Sequence, residues 1–407
     1  MTEASLTLAP ARAYRRGVEG GSSRTRAHDA EPHATSPAMR LLDRYLANAV
    51  EAGASDLHFE PAFGGILVRA RIDGVLRVLE PPPQSLADSL LTRTRLLAGA
   101  DLSEKRLPQD GRFRFRHRGD SIDVRAAFMP VHGGERIALR FLAADRASLG
   151  IDHLGLDEPE RALLARTLDR PNGMIVVVGP TGSGKTTTLY AAIERLRRPQ
   201  LSIVTVEDPV ERDLDGVSQV AVDEPSGRTF AAVLRAVLRQ DPDALMVGEI
   251  RDPESARIAC RAALTGHRVL TTLHTSDTRE ALLRITDMGV PDYLASATVS
   301  LVIAQRLLRR LCTDCRRETS PRPSEVALCR ALGMAAPETL ARPAGCGACG
   351  NEGYRGRLGV FETLVCRAGG NDDSRPRRYL LQEGLRRAAA LDTSFEEAVA
   401  VCPEPSR

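Results

Sequence analysis

Tryptophan is absent, and the three aromatic types together make up 4% of 407 residues. A single-stranded nucleic-acid groove built on stacked aromatic rings is hard to assemble from such a chain. Charge of one sign is lacking too: 56 Lys+Arg stand against 53 Asp+Glu, a net of +3. No global basic field marks a nucleic-acid partner, and none is expected. No apolar run approaches the ~18 residues of a membrane span, and the N-terminus lacks a signal-peptide core. The expectation is a cytoplasmic chain whose membrane contact goes through partners. Lysine is also nearly missing, at Lys105 and Lys185 alone.

The second of those lysines sits in the stretch around which the rest is arranged. Met174 to Val178 is a short, β-branched apolar run that reads as a buried strand. Gly179, Pro180, Thr181, Gly182, Ser183, Gly184, Lys185 and Thr186 then fit G-x-x-x-x-G-K-[ST] in full, and Thr187 onward continues as a helix. Glycines let backbone N–H groups close around phosphates, and the helix N-terminus adds a favourable dipole. Lys185 is expected to reach the β- and γ-phosphates and the Thr186 hydroxyl to hold Mg²⁺. A chance glycine turn is the alternative, and the strand before and helix after count against it. A chain that writes arginine almost everywhere keeps a compact ammonium here, which a guanidinium cannot replace isosterically.

The length fits two to three domains, and 43% hydrophobic residues suffice for ordinary cores. Residues 1–37 lack apolar periodicity and read as a disordered tether. Ser36-Pro37 looks like a helix cap, and Ala38 to Glu51 carries apolar residues at helical spacing. Ile66–Ile72 and Val75–Leu79 form a hairpin around Asp73-Gly74. Arg112–Arg118 and Ile122–Ala127 form another near Gly119-Asp120, with a helix over Ser85–Gly99 between them. Residues 38–143 are thus expected to be a small α+β domain, joined by a connector, 144–156, to a larger one, 157–407. There, strands alternate with helices, the pattern of a parallel α/β sheet. A segment bearing cysteines covers 311–356. The tail, 366–407, reads as irregular before a last helical stretch, Ser394 to Val401.

In open α/β sheets, ligands sit outside the carboxyl ends of the strands. Four apolar runs end in groups suited to phosphate chemistry. Met174–Val178 ends in the glycine loop, and Ile203–Val206 ends in Glu207-Asp208, with Glu211 close behind. Ala244–Val247 ends in Gly248-Glu249, and Val269–Leu273 ends in His274. An acid at a strand end is often only the cap of the next helix. Four such ends in one sheet point to a site for phosphoryl transfer.

Cys312-x-x-Cys315 and Cys346-x-x-Cys349 supply two thiolate pairs, the set that closes a tetrahedral, structural Zn²⁺ site. Redox-active thiols are the alternative, without a thioredoxin-like context around them. Cys260, Cys329, Cys366 and Cys402 lack such spacing.

Long motifs then carry a resemblance: ASDLHFEP (Ala54–Pro61), VRARIDGVL (Val68–Leu76), RLPQDGR (Arg106–Arg112), GPTGSGKTTTLY and TVEDPVE (Thr205–Glu211). LRQDPDALMVGEIRD (Leu238–Asp252), LTGHRVLTTLHTSDT (Leu264–Thr278), AQRLLRRLC (Ala304–Cys312) and GYRGRLGVFE (Gly353–Glu362) complete the set. Over Ala38 to Val365 the chain resembles the type II secretion and type IV pilus assembly ATPases. The resemblance implies a RecA-like P-loop core, ATP and Mg²⁺ as ligands, and a homohexamer working on inner-membrane secretion or pilus platform proteins. It implies Glu207 as orienter of the attacking water and Glu249 as support for Mg²⁺ through its water shell. It also implies a histidine box at His267 and His274, with His274 as γ-phosphate sensor. Asp208 and Glu211 would support the site, and Arg112 and Arg125 would reach the nucleotide from the small domain. A tetracysteine insert is usual in secretion and assembly members and uncommon in retraction members. Relatives usually carry a further N-terminal domain and ordered C-terminal helices, where this chain shows 37 irregular residues and a diverged tail.

The implied function is hydrolysis of ATP to power assembly of a type II secretion pseudopilus and protein export across the outer membrane. HGGERIALR, GKTTTLY and DMGVPDYLASA lean that way over the alternative, type IV pilus assembly or DNA uptake. A nucleic-acid motor and a non-hydrolysing scaffold are readings of other classes. Composition speaks against the first, and intact Glu207, Glu249 and His274 against the second.

Overall fold

The computed structural model describes residues 36–142, 150–366 and 376–404. The expected N-terminal tether lies almost wholly outside them, as do part of the 144–156 connector and most of the 368–378 run. Among the described residues two compact units emerge, one from 36–70 and 77–142, the other from 71–76, 150–366 and 376–404.

The first unit begins with α1 (Pro37–Glu51), where the Ser36 side chain accepts from the Met39 N–H. β1 (Ala54–Ala62), β2 (Gly65–Ile72) and β3 (Val75–Leu79) follow, then α2 (Gln84–Ala98). β4 (Gln109–His117), β5 (Asp120–Val131) and β6 (Gly134–Leu142) complete it. The six strands lie in the order β3-β2-β1-β6-β5-β4. Leu42, Leu46, Phe59, Leu90, Phe128 and Ile137 fill its core. Asp73 and Gly74 both take positive φ, as the tight hairpin turn requires. The second turn falls at Arg118-Gly119, one residue earlier than expected, with φ of 48° and 88°. β1 and β6, which pair antiparallel from Asp56↔Arg140 to Phe59↔Ile137, add two strands to the two hairpins expected.

The second unit starts with α3 (Glu158–Leu168), β7 (Gly173–Val178) and α4 (Lys185–Leu196). It continues through β8 (Ile203–Glu207), β9 (Ser218–Ala221), α5 (Phe230–Val237), β10 (Ala244–Val247), α6 (Pro253–Leu264) and β11 (Arg268–Leu273). Next come α7 (Thr278–Asp287), α8 (Asp292–Thr298) and β12 (Val299–Leu311). Its last part holds β13 (Arg317–Thr319), α9 (Pro323–Ala331), β14 (Leu340–Arg342), β15 (Tyr354–Val365), α10 (Leu380–Ala389) and α11 (Phe395–Val401).

Seven strands form one sheet in the order β15-β12-β7-β11-β10-β8-β9. The expected parallel sheet is present from β12 to β9, while β15 runs antiparallel to β12 and makes the sheet mixed. β7 is buried on both faces, which is why it reads as an unbroken apolar run. Met174, Val176 and Val178 enter one core and Ile175 and Val177 the other.

The tail differs in part from expectation: α11 matches the last helical stretch, Ser394 to Val401, while α10 stands where an irregular segment was expected. α10 and α11 are helices packed on the main core through Leu380, Leu381, Leu385, Ala388, Phe395 and Ala398. Gly384 permits close approach of α11. A Cβ there would lie 2.9 Å from Cys402 Sγ and 3.3 Å from Ala398 Cβ. Among the described residues no helix is long and apolar enough to cross a membrane.

Candidate nucleotide site and thiolate cluster

β7 delivers the glycine loop at its carboxyl end, and α4 leads away from it. Gly179 has φ of 148°, and a Cβ on it would meet the Gln305 carbonyl and Ser183 Oγ, each at 2.6 Å. A Cβ on Gly184, at φ of 88°, would lie 2.7 Å from Gln305 Nε2. Close packing as well as backbone freedom therefore requires glycine at both positions. Ser183 is buried, and its Oγ has no hydrogen-bond partner among the described residues. Buried polar atoms are normally paired, so an orphan inside a glycine loop fits a ligand with acceptor oxygens.

Lys185 is 8% exposed, and its Nζ donates to the carbonyl oxygens of Gly179, at 2.8 Å, and Pro180, at 3.0 Å. Burial pushes its pKa below the ordinary lysine value; Glu249 opposes that shift and Arg306 adds to it. Its only described hydrogen bonds are to the loop itself, so the ammonium can turn to a phosphate by exchanging one set of acceptors for another.

Two of the other strand ends meet. Glu249, just past β10, has Oε2 3.3 Å from His274 Nε2, just past β11. Its other oxygen accepts from Arg251, whose Nη1 also lies 3.3 Å from Asp208. Glu249 remains partly exposed, with 17% of its side chain accessible. This cluster can hold a hydrated cation or orient a water beside the loop.

Glu207, the expected orienter of the attacking water, is held by three side-chain donors. It is buried, and its carboxylate accepts from Tyr190 Oη at 2.5 Å, Thr205 Oγ1 at 2.5 Å and Gln219 Nε2 at 3.1 Å. A carboxylate so engaged ties β8 to α4 and β9. Burial, with Glu207 next, raises the Tyr190 pKa, so the phenol keeps its proton and donates. The same Tyr190 oxygen accepts from the Glu211 N–H at 3.2 Å.

The two histidines of the expected box are separated. His267 stands at the amino end of β11, where Nδ1 lies 3.0 Å from the Ala262 carbonyl oxygen. His274 follows the opposite end, about 20 Å away at strand rise. Arg112 and Arg125 lie in the first unit, directly opposite each other across β4 and β5. Arg125 in turn faces Arg140 on β6, and Arg140 bonds Asp56 at 2.9 Å.

Sequence reasoning assigned no role to Gln305, Arg306 and Glu362. The register Ala304↔Val178 carries Gln305 and Arg306 alongside the glycine loop, where Gln305 Oε1 accepts from Thr188 Oγ1 at 2.6 Å. Glu362, on β15, is buried and accepts from Thr278 N, Thr278 Oγ1 and Leu380 N. It thereby caps α7 and α10 together. Burial raises its pKa, and those three donors oppose the rise.

The four cysteines of the two pairs converge beyond the β12–β15 ladder. Sγ–Sγ distances are 3.9 Å for Cys312–Cys346, 3.8 Å for Cys315–Cys349 and 3.8 Å for Cys346–Cys349. A tetrahedron of thiolates at about 2.3 Å from zinc has edges of about 3.8 Å. Cys349 Sγ also accepts from the N–H groups of Cys346 and Gly353, both at 3.2 Å. Desolvation works against its thiolate, yet those donors and neighbouring thiols draw its pKa below the ordinary cysteine value. The donor set fits a closed four-thiolate zinc site.

With that geometry in place, comparison with known proteins decides the family. The profile described as "Type II/IV secretion system protein" matches residues 31–375. The chain belongs to the Type II/IV secretion system protein family. It is 43% identical over 387 residues to Type II secretion system protein E of Pectobacterium carotovorum subsp. carotovorum, covering 91% of this chain and 76% of that one. To the type IV pilus assembly ATPase PilB of Acinetobacter baylyi it is 46% identical over 338 residues, covering 81% and 57%. The solved ATPase DotB of Legionella pneumophila superposes with a TM-score of 0.66 at 21% identity, over 92% of this chain and 98% of that one. That likeness bears on the fold, a RecA-like P-loop core.

Proposed function

We propose that this chain, a secretion ATPase of its family, works as a cytoplasmic homohexamer. It powers assembly of a type II secretion pseudopilus, and with it export across the outer membrane, through inner-membrane platform proteins. The observation that carries the reading is the glycine loop with buried Lys185 and orphan Ser183 Oγ, beside the Glu249–His274 pair. The greater share of the type II relative covered, 76% against 57% for PilB, favours secretion over pilus assembly.

In this reading Lys185 and the loop N–H groups bind the phosphates, and Thr186 and Glu249 would hold Mg²⁺. His274 senses the γ-phosphate. Glu207 positions α4 and β8 through Tyr190 in place of orienting the water itself. When bound, Mg²⁺ would neutralise phosphate charge there. Arg112 and Arg125 remain the candidates for arginines delivered from the first unit. Zn²⁺ at Cys312, Cys315, Cys346 and Cys349 is structural.

Deleting the chromosomal copy in the source organism and measuring secreted enzymes and surface pili separately tests the assignment. Lost secretion with intact pili supports it. Lost pili with normal secretion overturns it in favour of the assembly reading.

A further inference from the structure

Arg306 has no assigned role, yet it stands where a second cation is hardest to explain without an anion. It is 7% exposed. Its described hydrogen bonds go to main-chain carbonyls, Nη1 to Gln305 at 3.0 Å and Nη2 to Ser276 at 2.7 Å. A Cβ placed on Gly179, the first glycine of the loop, would be 3.2 Å from Arg306 Nη1. The guanidinium therefore packs on the loop whose Gly179 carbonyl receives the Lys185 ammonium at 2.8 Å. Ser276, its other anchor, lies two residues past His274.

Burying a guanidinium without a bonded carboxylate is costly, and placing it near a buried ammonium adds repulsion. Burial lowers the pKa of Arg306, and Arg306 in turn helps lower that of Lys185. Cys402, Glu362, Asp277 and Glu280 act on Arg306 only through space. Two buried cations answered mainly by carbonyl dipoles make a site prepared for negative charge.

The geometry points to Arg306 as a second cation of the nucleotide site, a positioning residue that answers the charge of the terminal phosphate and links the glycine loop to the His274 loop. The inference rests on the ATPase reading. It gives this unit a cation of its own on β12, beside whatever Arg112 and Arg125 contribute.

The test compares binding of fluorescent ATP and ADP analogues to wild-type protein, Arg306→Gln and Arg306→Lys, with thermal melting alongside. Losing a bond to a charged group weakens ATP binding about 10-fold or more in Arg306→Gln. ADP binding falls much less, and Arg306→Lys restores part of the ATP preference. Equal loss for both nucleotides, or no loss for either, overturns the inference while leaving the ATPase reading intact. If the Gln variant does not fold, Arg306→Lys decides: a folded Lys variant must keep part of the wild-type ATP-over-ADP preference, and complete loss of that preference overturns the inference. Wild-type protein that binds neither nucleotide defeats the reading beneath it instead.

Discussion

Glu249 and His274 come from adjacent strands, β10 and β11, and meet at 3.3 Å beside a glycine loop carried by the next strand over. The parallel register of β10 with β11 and of β11 with β7 brings all three strand ends to one edge of the sheet. Chemistry at that edge follows from topology, since each strand ends in a different polar group.

Lys185 and Tyr190 share α4 and have opposite assignments. Lys185→Ala removes a phosphate contact, so nucleotide affinity and turnover fall together. Tyr190→Phe leaves the buried Glu207 carboxylate one donor short, which costs about 1–3 kcal/mol. A fall in melting temperature with nucleotide affinity near wild type checks that prediction. An unchanged melt removes the positioning role given to Glu207.

The thiolate cluster makes a stoichiometric prediction. Metal analysis finds about one zinc per chain, lost on changing Cys312 and Cys346 together to Ser. Structural zinc in small sites contributes roughly 10–16 kcal/mol of apparent binding energy. The double variant should lose order around β13, α9 and β14, visible as faster amide exchange there. Zinc-free protein with unchanged exchange contradicts the structural role.

Glu160 supplies a pH dependence. It is 2% exposed, and burial, then Asp157 and Glu383, raise its pKa from 4.5 to about 7. A raised carboxyl pKa means that the folded state favours the protonated form. Its contribution to stability is fully present below about pH 4.5 and is lost as pH rises through about 7. The shift corresponds to on the order of 3 kcal/mol at most. Denaturant unfolding between pH 5 and 8 should show this decline, and Glu160→Gln should flatten it. An equally steep decline in the variant assigns the effect elsewhere.

The first unit makes a riskier prediction. Arginines delivered to a transferring phosphate contribute about 10³–10⁵ in turnover in this chemistry. Arg112→Ala or Arg125→Ala should lose turnover severely while ATP binding is largely kept, with oligomeric state measured alongside. Normal turnover in both makes the arginine row a solvated face.

Much of this was legible in sequence because the signals are local. The glycine loop, the hairpin at Asp73-Gly74, the Ser36 cap and each C-x-x-C pair are contained within a few consecutive residues. What was missed depends on partners far along the chain. Thr188 meets Gln305, Glu362 caps Thr278 and Leu380, and Arg306 bonds Ser276, pairings that only strand order creates. Glu207 was legible as a strand-end acid, but Tyr190 and Gln219, which engage it, were not. His267 was grouped with His274 by motif, although β11 runs between them. α10 follows a polar, irregular run in the sequence, and its packing on the main core through Leu380, Leu381, Leu385 and Ala388 is what marks it as a helix.

The central claim is that the strand-end cluster hydrolyses ATP, and one measurement tests it most directly. Steady-state phosphate release and ATP binding are compared for wild-type protein and Glu249→Gln, which keeps the shape of the side chain and removes its charge. The account predicts binding close to wild type and turnover reduced about 10²-fold or more. Wild-type turnover in Glu249→Gln would contradict it.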